Sequence, residues 1–390
     1  MRVTHIITRL VIGGAQENTV ASVLGLRRKP GVEVHLISGP TAGPEGSLES
    51  EFARTPEVLT RVPELVRPVH PLKDWLALRR LEKILREQKP DLVHTHSGKA
   101  GILGRLAARR AGVPVILHHI HGPSFGPFQG PLANRIFTAA ERHAARVTTH
   151  FICSAQAMTR IYLAAGIGRP EMYTRIFSGF PMEPFLAATN DPELRRQLGL
   201  DPNHFVIGKI ARLFKLKGHD DLLAAFRKIL PQVPQARLLL LGDGALRNEI
   251  EAQARAPELA GKVIFTGLVP PSEVPRYVGI MDCLAHLSCR EALSRALPQA
   301  LAAGKPVVAY DFDGADEVCL EGETGFLVRT GDVDTVARRL LQLAGDAPLR
   351  ERLGRRGCEF VRENFAVEKM VDTLYHLYVK LAAERGLCVP

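Results

Sequence analysis

Residues 286–318 read HLSCREALSRALPQALAAGKPVVAYDFDGADEV, from His286 to Val318. The order is strand, acidic loop, helix, strand, acidic loop. Both strand candidates, DCLAHLS and KPVVAYD, are nearly continuous in apolar residues rather than alternating. A strand of that kind is buried on both faces, which is the condition of a parallel sheet with helices packed on each side. The intervening helix is then the crossover that parallel strands require. One such unit implies neighbours of the same kind, and the chain supplies them in both directions.

Toward the N-terminus of this stretch, HFVIGKIARL, ARLLLLGDG and GKVIFTGLV repeat the pattern, making five strand candidates in the second half. The first half alternates in the same way. RVTHIIT precedes a Gly13-Gly14 loop and a helix from about Ala15, and VEVHLIS ends at Gly39-Pro40. The helical run DWLALRRLEKILREQ, with Leu78, Leu81 and Leu85 on one face, leads to PDLVHTH, GILGRLAARRAG and VPVILHHIHG. The openings of the halves echo each other: IITRLVIGGAQE and GKIARLFKLKGHDD both run strand, Arg-Leu, glycine loop, helix. The expected architecture is α/β, two Rossmann-like domains facing across a cleft. The divisions are residues 1–182 and 183–365, joined by a proline-rich linker within Phe180–His204. A final helix near Ala366, with Met370, Leu374, Leu377 and Leu381 on one face, spans 366–390 and is expected to pack back on the first domain.

A chain of 390 residues is longer than one core ordinarily supports, which agrees with two domains. Hydrophobic residues make up 46% and mean hydropathy is zero, the balance of a globular protein. No apolar run reaches bilayer-spanning length, and MRVTHIITRLVIGG lacks a small-residue cleavage site, so a cytoplasmic location is expected. The six cysteines form no CxxC pair and read as buried, reduced thiols. Net charge is +10, which calls for an anionic partner. The basic residues come as short clusters with the spacing of helix faces, without an RNA-binding aromatic signature or a zinc finger. Nucleic acid is therefore excluded, while a phosphorylated small molecule and an anionic membrane surface stand as candidates.

In open α/β sheets ligands bind beyond the carboxyl ends of the strands, so chemistry is sought in the loops there. Gly13 and Gly14 admit close backbone approach before a helix N-terminus. Arg212 ends one strand, and Lys217-Gly218 precedes the next helix; a guanidinium and an ammonium converging there suit a diphosphate. Glu291 precedes a helix whose early residues Leu293, Ser294 and Arg295 would present amides, with Gln299 two turns further along. His94 and His96 share one face of a strand, as do His119 and His121 on the next; either a metal site or core and ligand-contacting histidines fit that pattern. No carboxylate or thiol in those segments completes a metal set, and no metal is expected. Asp311 to Asp313, a DxD string, reads as an ordinary turn, and AAGKPV lacks the upstream glycine of a P-loop.

With these residues in view, the chain resembles the GT-B glycosyltransferases, specifically glycosyltransferase family 4, whose members are retaining and use sugar nucleotides. The resemblance runs nearly the whole length: GGAQ, DLVHTHSGKAGILGRLAARRAGVPVILHHIHG, FICSAQAM, IFSGF, ARLFKLKGHDDLL, LLLLGDGALR, VIFTGLV and the opening stretch. It implies that Glu291 lies by the transferred sugar and that Arg212 and Lys217 grip the diphosphate of a nucleotide-sugar co-substrate. Backbone near Gly13 and Gly14 would face that diphosphate, Gly242 would belong to the same binding surface, Leu268 would lie beside the base, and His121 would touch the sugar near the reacting carbon. The family's second carboxylate, which bonds the nucleotide ribose, is replaced by Gln299. A glutamine keeps hydrogen-bonding capacity but loses charge assistance, roughly 1 kcal/mol. Ala292 and Ser294 stand where the family usually has glycine and proline. The implied activity is transfer of a sugar from a UDP- or GDP-sugar to a glycan or lipid-linked hydroxyl, in the cytoplasm or on the inner face of the membrane. A sugar-nucleotide epimerase of the same fold, or a histidine-based metallohydrolase, is the alternative.

Overall fold

The computed structural model describes residues 1–43, 46–126 and 128–388. The chain forms two compact units, Met1–Phe180 with Ala366–Pro390, and Pro181–Phe365.

The first unit runs β1 (Arg2–Ile7), α1 (Gly14–Leu26), β2 (Glu33–Ser38), β3 (Leu59–Arg61), α2 (Pro71–Gln88), β4 (Leu92–His96), α3 (Gly98–Arg110), β5 (Val115–Ile120), α4 (Pro131–Ala145), β6 (His150–Cys153), α5 (Gln156–Ala164) and β7 (Tyr173–Arg175). Its seven strands are all parallel, in the order β3-β2-β1-β4-β5-β6-β7. Side chains alternate across a strand, so the register assigns each face. One face carries Ile6, Val93 and Ile116 against Leu78, Leu81 and Leu85 of α2 and Ala100 and Ala107 of α3. The other carries Val3, Ile7, Leu92, Val115 and Leu117 against α1 and the last helix of the chain.

The second unit begins with two short helices, α6 (Glu183–Leu186) and α7 (Pro192–Gln197). It continues with β8 (Phe205–Ile210), α8 (His219–Ile229), β9 (Ala236–Leu241), α9 (Arg247–Ala254), β10 (Val263–Gly267), α10 (Val274–Gly279), β11 (Cys283–His286), α11 (Ala296–Ala302), β12 (Val307–Tyr310), β13 (Gly325–Val328), α12 (Val333–Gly345) and α13 (Ala347–Asn364). Six parallel strands lie in the order β10-β9-β8-β11-β12-β13. Helix α14 (Val367–Ala383) then returns to the first unit, where Met370, Val371, Leu374, Tyr378 and Leu381 enter the core beside α1.

Three expectations are corrected. The proline-rich stretch 180–204 is not a free linker: Pro184 and Pro192 stand in the first turns of α6 and α7, where a missing N–H costs nothing. Buried Arg195 fastens it to the second unit by donating to the carbonyls of Ile280, Asp201 and His204 at 3.2, 2.7 and 2.9 Å. Four strands, β3, β6, β7 and β13, were not anticipated as strands; at three or four residues each they are too short to show a period. Of the cysteines, Cys153, Cys283 and Cys319 are buried, but Cys388 is exposed beyond the last helix.

Candidate functional site

In the second unit the strand order reverses at β8 and β11, and the loops that leave these two neighbours meet. The β8 loop, residues 211–218, and the β11 loop, residues 287–295, are joined by backbone bonds. Cys289 N–H donates to the Leu216 carbonyl at 2.8 Å. Gly218 lies at φ 67, and a Cβ there would meet the Leu287 carbonyl oxygen at 1.9 Å, so glycine is required on both counts. Leu216 itself is held at φ 67, a sparsely populated conformation for leucine.

Lys217 reaches across this seam. Its Nζ donates to the Arg290 carbonyl at 3.0 Å and forms an ion pair with Glu291. Ser288 Oγ donates to the same carboxylate at 3.3 Å. From the far side, the Glu291 N–H donates to Asp313 Oδ2 at 2.8 Å, and Gly314 N–H to the Ala292 carbonyl at 3.1 Å. Asp313, at φ 52, is thus a brace for the Glu291 loop. Burial first, and the Glu291 carboxylate beside it, push its carboxyl up to about 6. Arg212 is exposed, stacks over Phe214 at 5.1 Å, and has no carboxylate partner among the described residues. Gly242, at φ 130, lets the β9 loop close on this one, since its Cβ would stand 2.2 Å from the Ala211 carbonyl oxygen. The result is a loop cluster in which the Lys217 ammonium is paired, the Arg212 guanidinium has no carboxylate partner among the described residues, and the Glu291 carboxylate is held at a defined position.

Beneath it lies a residue that the reading of the sequence missed. Lys209, in β8, is buried, and its Nζ has no hydrogen-bond partner among the described residues. Burial, then the nearby Lys217, lowers its ammonium to about 7. His286 and His219 sit in the same field, both lowered by burial and then by Lys209. The signal for Lys209 was a lone lysine inside the apolar run HFVIGKIARL.

Other expectations need adjustment. Helix α11 begins at Ala296, so Leu293 and Ser294 lie in irregular chain before it rather than in its first turn. Gln299 is accordingly the fourth residue of a seven-residue helix, its N–H bonded to the Arg295 carbonyl at 3.1 Å. Pro298, with no N–H for the Ser294 carbonyl, stands in the first turn of α11, and Glu291 and Ala292 are held outside the helix by their bonds to Asp313 and Gly314. Leu268 follows β10 and is 56% exposed, an apolar surface with nothing packed over it.

The first unit holds the remaining candidates. Gly14 opens α1, and Gly13 precedes it at φ 167, extended backbone open to any residue. A Cβ on Gly13 would meet only the flexible Gln16 amide, so neither conformation nor packing demands glycine there. His121 directly follows β5. It closes a row of rings on the α14 face of the sheet, in which His5, His94, His96 and His119 are buried. His5 Nδ1 bonds His96 Nε2 at 2.9 Å, and His96 Nδ1 bonds His121 Nε2 at 3.0 Å. His94 Nδ1 bonds the Tyr378 hydroxyl, and His119 Nε2 bonds Ser154 Oγ at 3.2 Å. Burial lowers His5 and His121 to about 3 and the other three well below their ordinary value, so all are neutral imidazoles at neutral pH. Two trios, His5-His94-His96 and His96-His119-His121, place ligating nitrogens within 4.8 Å of one another. Yet both nitrogens of His96 are engaged by its neighbours. The His119 and His121 rings stack 3.9 Å apart at 20°. Within the row His5, His96 and His121 are joined in a hydrogen-bonded chain.

Comparison with known proteins adds to this geometry. Residues 13–176 match the family model described as glycosyl transferase 4-like domain, and residues 190–360 match glycosyl transferases group 1. The chain is 28% identical over 329 residues to the UDP-Gal:alpha-D-GlcNAc-diphosphoundecaprenol alpha-1,3-galactosyltransferase of Escherichia coli, covering 83% of this chain and 84% of that one. It is 29% identical over 321 residues to the GDP-mannose-dependent alpha-mannosyltransferase of Mycobacterium tuberculosis, covering 81% and 80%. Among solved structures, Anabaena Alr3699/HepE in complex with UDP and glucose matches with a TM-score of 0.81 at 22% identity, over 97% of this chain and all of that one. That likeness is one of fold.

Proposed function

The chain belongs to the family 4 glycosyltransferases of GT-B fold, and from that premise we propose that it moves a sugar, with retention, from a UDP- or GDP-sugar to a glycan or lipid-linked hydroxyl in cell-envelope glycan synthesis. The observation that supports the loop cluster as the site for the donor is the meeting of Arg212, Lys217 and Glu291 at the β8/β11 reversal. The epimerase and metallohydrolase alternatives are set aside, since the matching family models and the relatives above are transferases.

As the bond from sugar C1 to phosphate breaks, negative charge gathers on the diphosphate. Arg212 and Lys217 are fixed where they would offset it, without reorganisation at the moment of reaction. Binding of the diphosphate redistributes Lys217 between phosphate and Glu291, leaving the carboxylate free to face the sugar. The role of His121 in this reading is contact with the transferred sugar, and the reaction needs no metal. Thermal-shift measurements with UDP, GDP and ADP, each with and without EDTA, test the reading. One nucleotide at 100 times its dissociation constant should add about 2.7 kcal/mol with or without chelator, and Arg212→Ala should abolish most of that gain. No shift with any nucleotide would remove the site.

The acceptor side of the proposal rests on the first unit. Leu72, Trp75 and Leu76 in the first turns of α2 and Leu132 and Ile136 in α4 are exposed apolar residues, and both helices flank α3. Basic Lys73, Arg79, Arg80 and Arg135 accompany them, the composition of a surface that touches anionic lipid. Helix α3, between them, is a sheet cover: Arg105 is fully buried and paired with Glu141 at 2.5 Å. A blue shift of Trp75 fluorescence on adding anionic vesicles, absent with neutral ones, is expected; no shift with either would end the membrane reading. Among the described residues no helix is long and apolar enough to cross a membrane.

A further inference from the structure

The sheet face beneath α14 is apolar along its lower rows and imidazole along its upper ones, and of those rings only His121 has a role in the function proposed above. His119 turns aside to Ser154; His94, His5 and His96 form one continuous chain with His121 through Tyr378. From the interior outward it runs His94 Nδ1, Tyr378 Oη, His5 Nε2 at 3.5 Å, then His5 Nδ1 to His96 Nε2 at 2.9 Å and His96 Nδ1 to His121 Nε2 at 3.0 Å. Each neutral imidazole owns a single N–H and the phenol a single O–H. From His5 outward such a chain can run in only two directions, and fixing the His5 proton fixes those of His96 and His121.

The inner end decides the direction. His94 Nε2 is buried and has no hydrogen-bond partner among the described residues. If the chain ran inward, either that nitrogen would be an N–H with no acceptor or, with the phenol oxygen accepting from both His5 and His94, the Tyr378 O–H would be; an orphaned donor is the rarer and costlier of the two unsatisfied states in folded proteins. Run outward, His94 Nε2 is only an unused lone pair. His94 Nδ1–H then donates to the Tyr378 oxygen, Tyr378 O–H to His5 Nε2, His5 Nδ1–H to His96 Nε2, and His96 Nδ1–H to His121 Nε2. His121 is left with its proton on Nδ1, the nitrogen not bonded to His96.

We propose that Tyr378, on the last helix of the chain, is a positioning residue that acts through His5 and His96 to hold His121 as the Nδ1–H tautomer. His121 therefore offers a hydrogen-bond donor, and not an acceptor, to an oxygen of the bound sugar. That last step rests on the proposed function; the tautomer does not. The chemistry gains from neutrality as well as direction. A sugar losing its phosphate develops positive charge at the reacting carbon. A neutral N–H steadies a sugar oxygen without the repulsion that an imidazolium would add.

Two-bond proton–nitrogen correlation spectra of the full chain, labelled with 15N-histidine, distinguish the tautomers, and the His121 signals are identified by their loss in His121→Gln. The wild-type chain at pH 7.5 is expected to show His121 as the Nδ1–H form. Tyr378→Phe should convert it to a mixture of tautomers and lower kcat about tenfold, the worth of one hydrogen bond, while leaving the dissociation constant for UDP or GDP unchanged. An Nε2–H signal in the wild type, or an unchanged His121 signal in Tyr378→Phe, overturns the proposal. Should Tyr378→Phe fail to fold, the wild-type spectrum alone decides. A tautomer that shifts with no change in turnover confirms the chain and removes His121 from contact with the sugar, which is a failure of the functional reading and not of this one.

Discussion

Lys209 shows how a single side chain can be kept at a cost to stability. A buried ammonium without a partner is unfavourable, and its proton is correspondingly loose. Its pKa is lowered from 10.5 to about 7, so between those values the unfolded chain holds a proton that the folded chain has released. Stability therefore rises with pH across that window and is least at pH 7 and below. Lys209→Met is expected to be more stable than the wild type at pH 7 by roughly 1–4 kcal/mol, with a margin that shrinks toward pH 10. Urea unfolding at pH 7 and pH 9.5 measures it, and a margin independent of pH would show that Lys209 is not the group responsible. The return for that cost is positive potential under Lys217, so the same substitution should weaken nucleotide binding. At this scale the sequence displayed Arg212, Lys217 and Glu291 at strand ends. It did not display Asp313 as their brace or Lys209 beneath them, because both depend on which strand lies next to which.

Among elements, the seat of α14 is the clearest case of packing by subtraction. Gly25 in α1 faces Val371, and a Cβ on Gly25 would stand 2.4 Å from Val371 Cγ2. Gly25→Ala should gain about 1 kcal/mol of helix propensity and lose more to overpacking, a net destabilisation of about 1–2 kcal/mol. In a Val371→Ala background the two methyl contacts are gone, only the Cβ contact at 3.3 Å is left, and the same change should become nearly neutral or stabilising. A double-mutant cycle by chemical denaturation reads the coupling; additive effects would mean that the two helices do not meet there. The stripe Met370, Leu374 and Leu381 was legible in the sequence as a buried face, and so was the long helix that carries it. The start of α11 was less so. Residues 291–295 carry no helix-breaking residue; the signal lay beyond them in Pro298, which has no N–H to bond the Ser294 carbonyl and so stands in the first turn, while Asp313 and Gly314 hold residues 291 and 292 outside the helix.

At the level of the molecule, the histidines make the first unit sensitive to acid. His5 and His121 are lowered to about 3, and His94, His96, His118 and His119 well below 6.5, by burial. As pH falls below 6.5 the unfolded chain takes up protons that the folded chain refuses, so stability is lost from there toward pH 3. At pH 5 each such histidine costs about 2 kcal/mol, and six together approach or exceed the 5–15 kcal/mol by which domains are stable. The first unit is expected to unfold near pH 5, before the second. Trp75, the single tryptophan, lies in the first unit and reports on it by fluorescence, with far-UV circular dichroism following both units. Fluorescence flat to pH 4 would refute the expectation.

What the sequence determined by itself was the parallel α/β character of both halves, the long elements, and the loop residues that could meet an anion. These follow from local quantities: apolar runs, helical periodicity and glycine at strand ends. Tertiary structure alone decided the short strands β3, β6, β7 and β13, the closure of the β8 and β11 loops through Lys217 and Glu291, and the chain of rings from Tyr378 to His121. In that chain His5 and Tyr378 are 373 residues apart. No local pattern encodes such a pairing; it exists because the sheet sets β1, β4 and β5 side by side and the last helix closes over them.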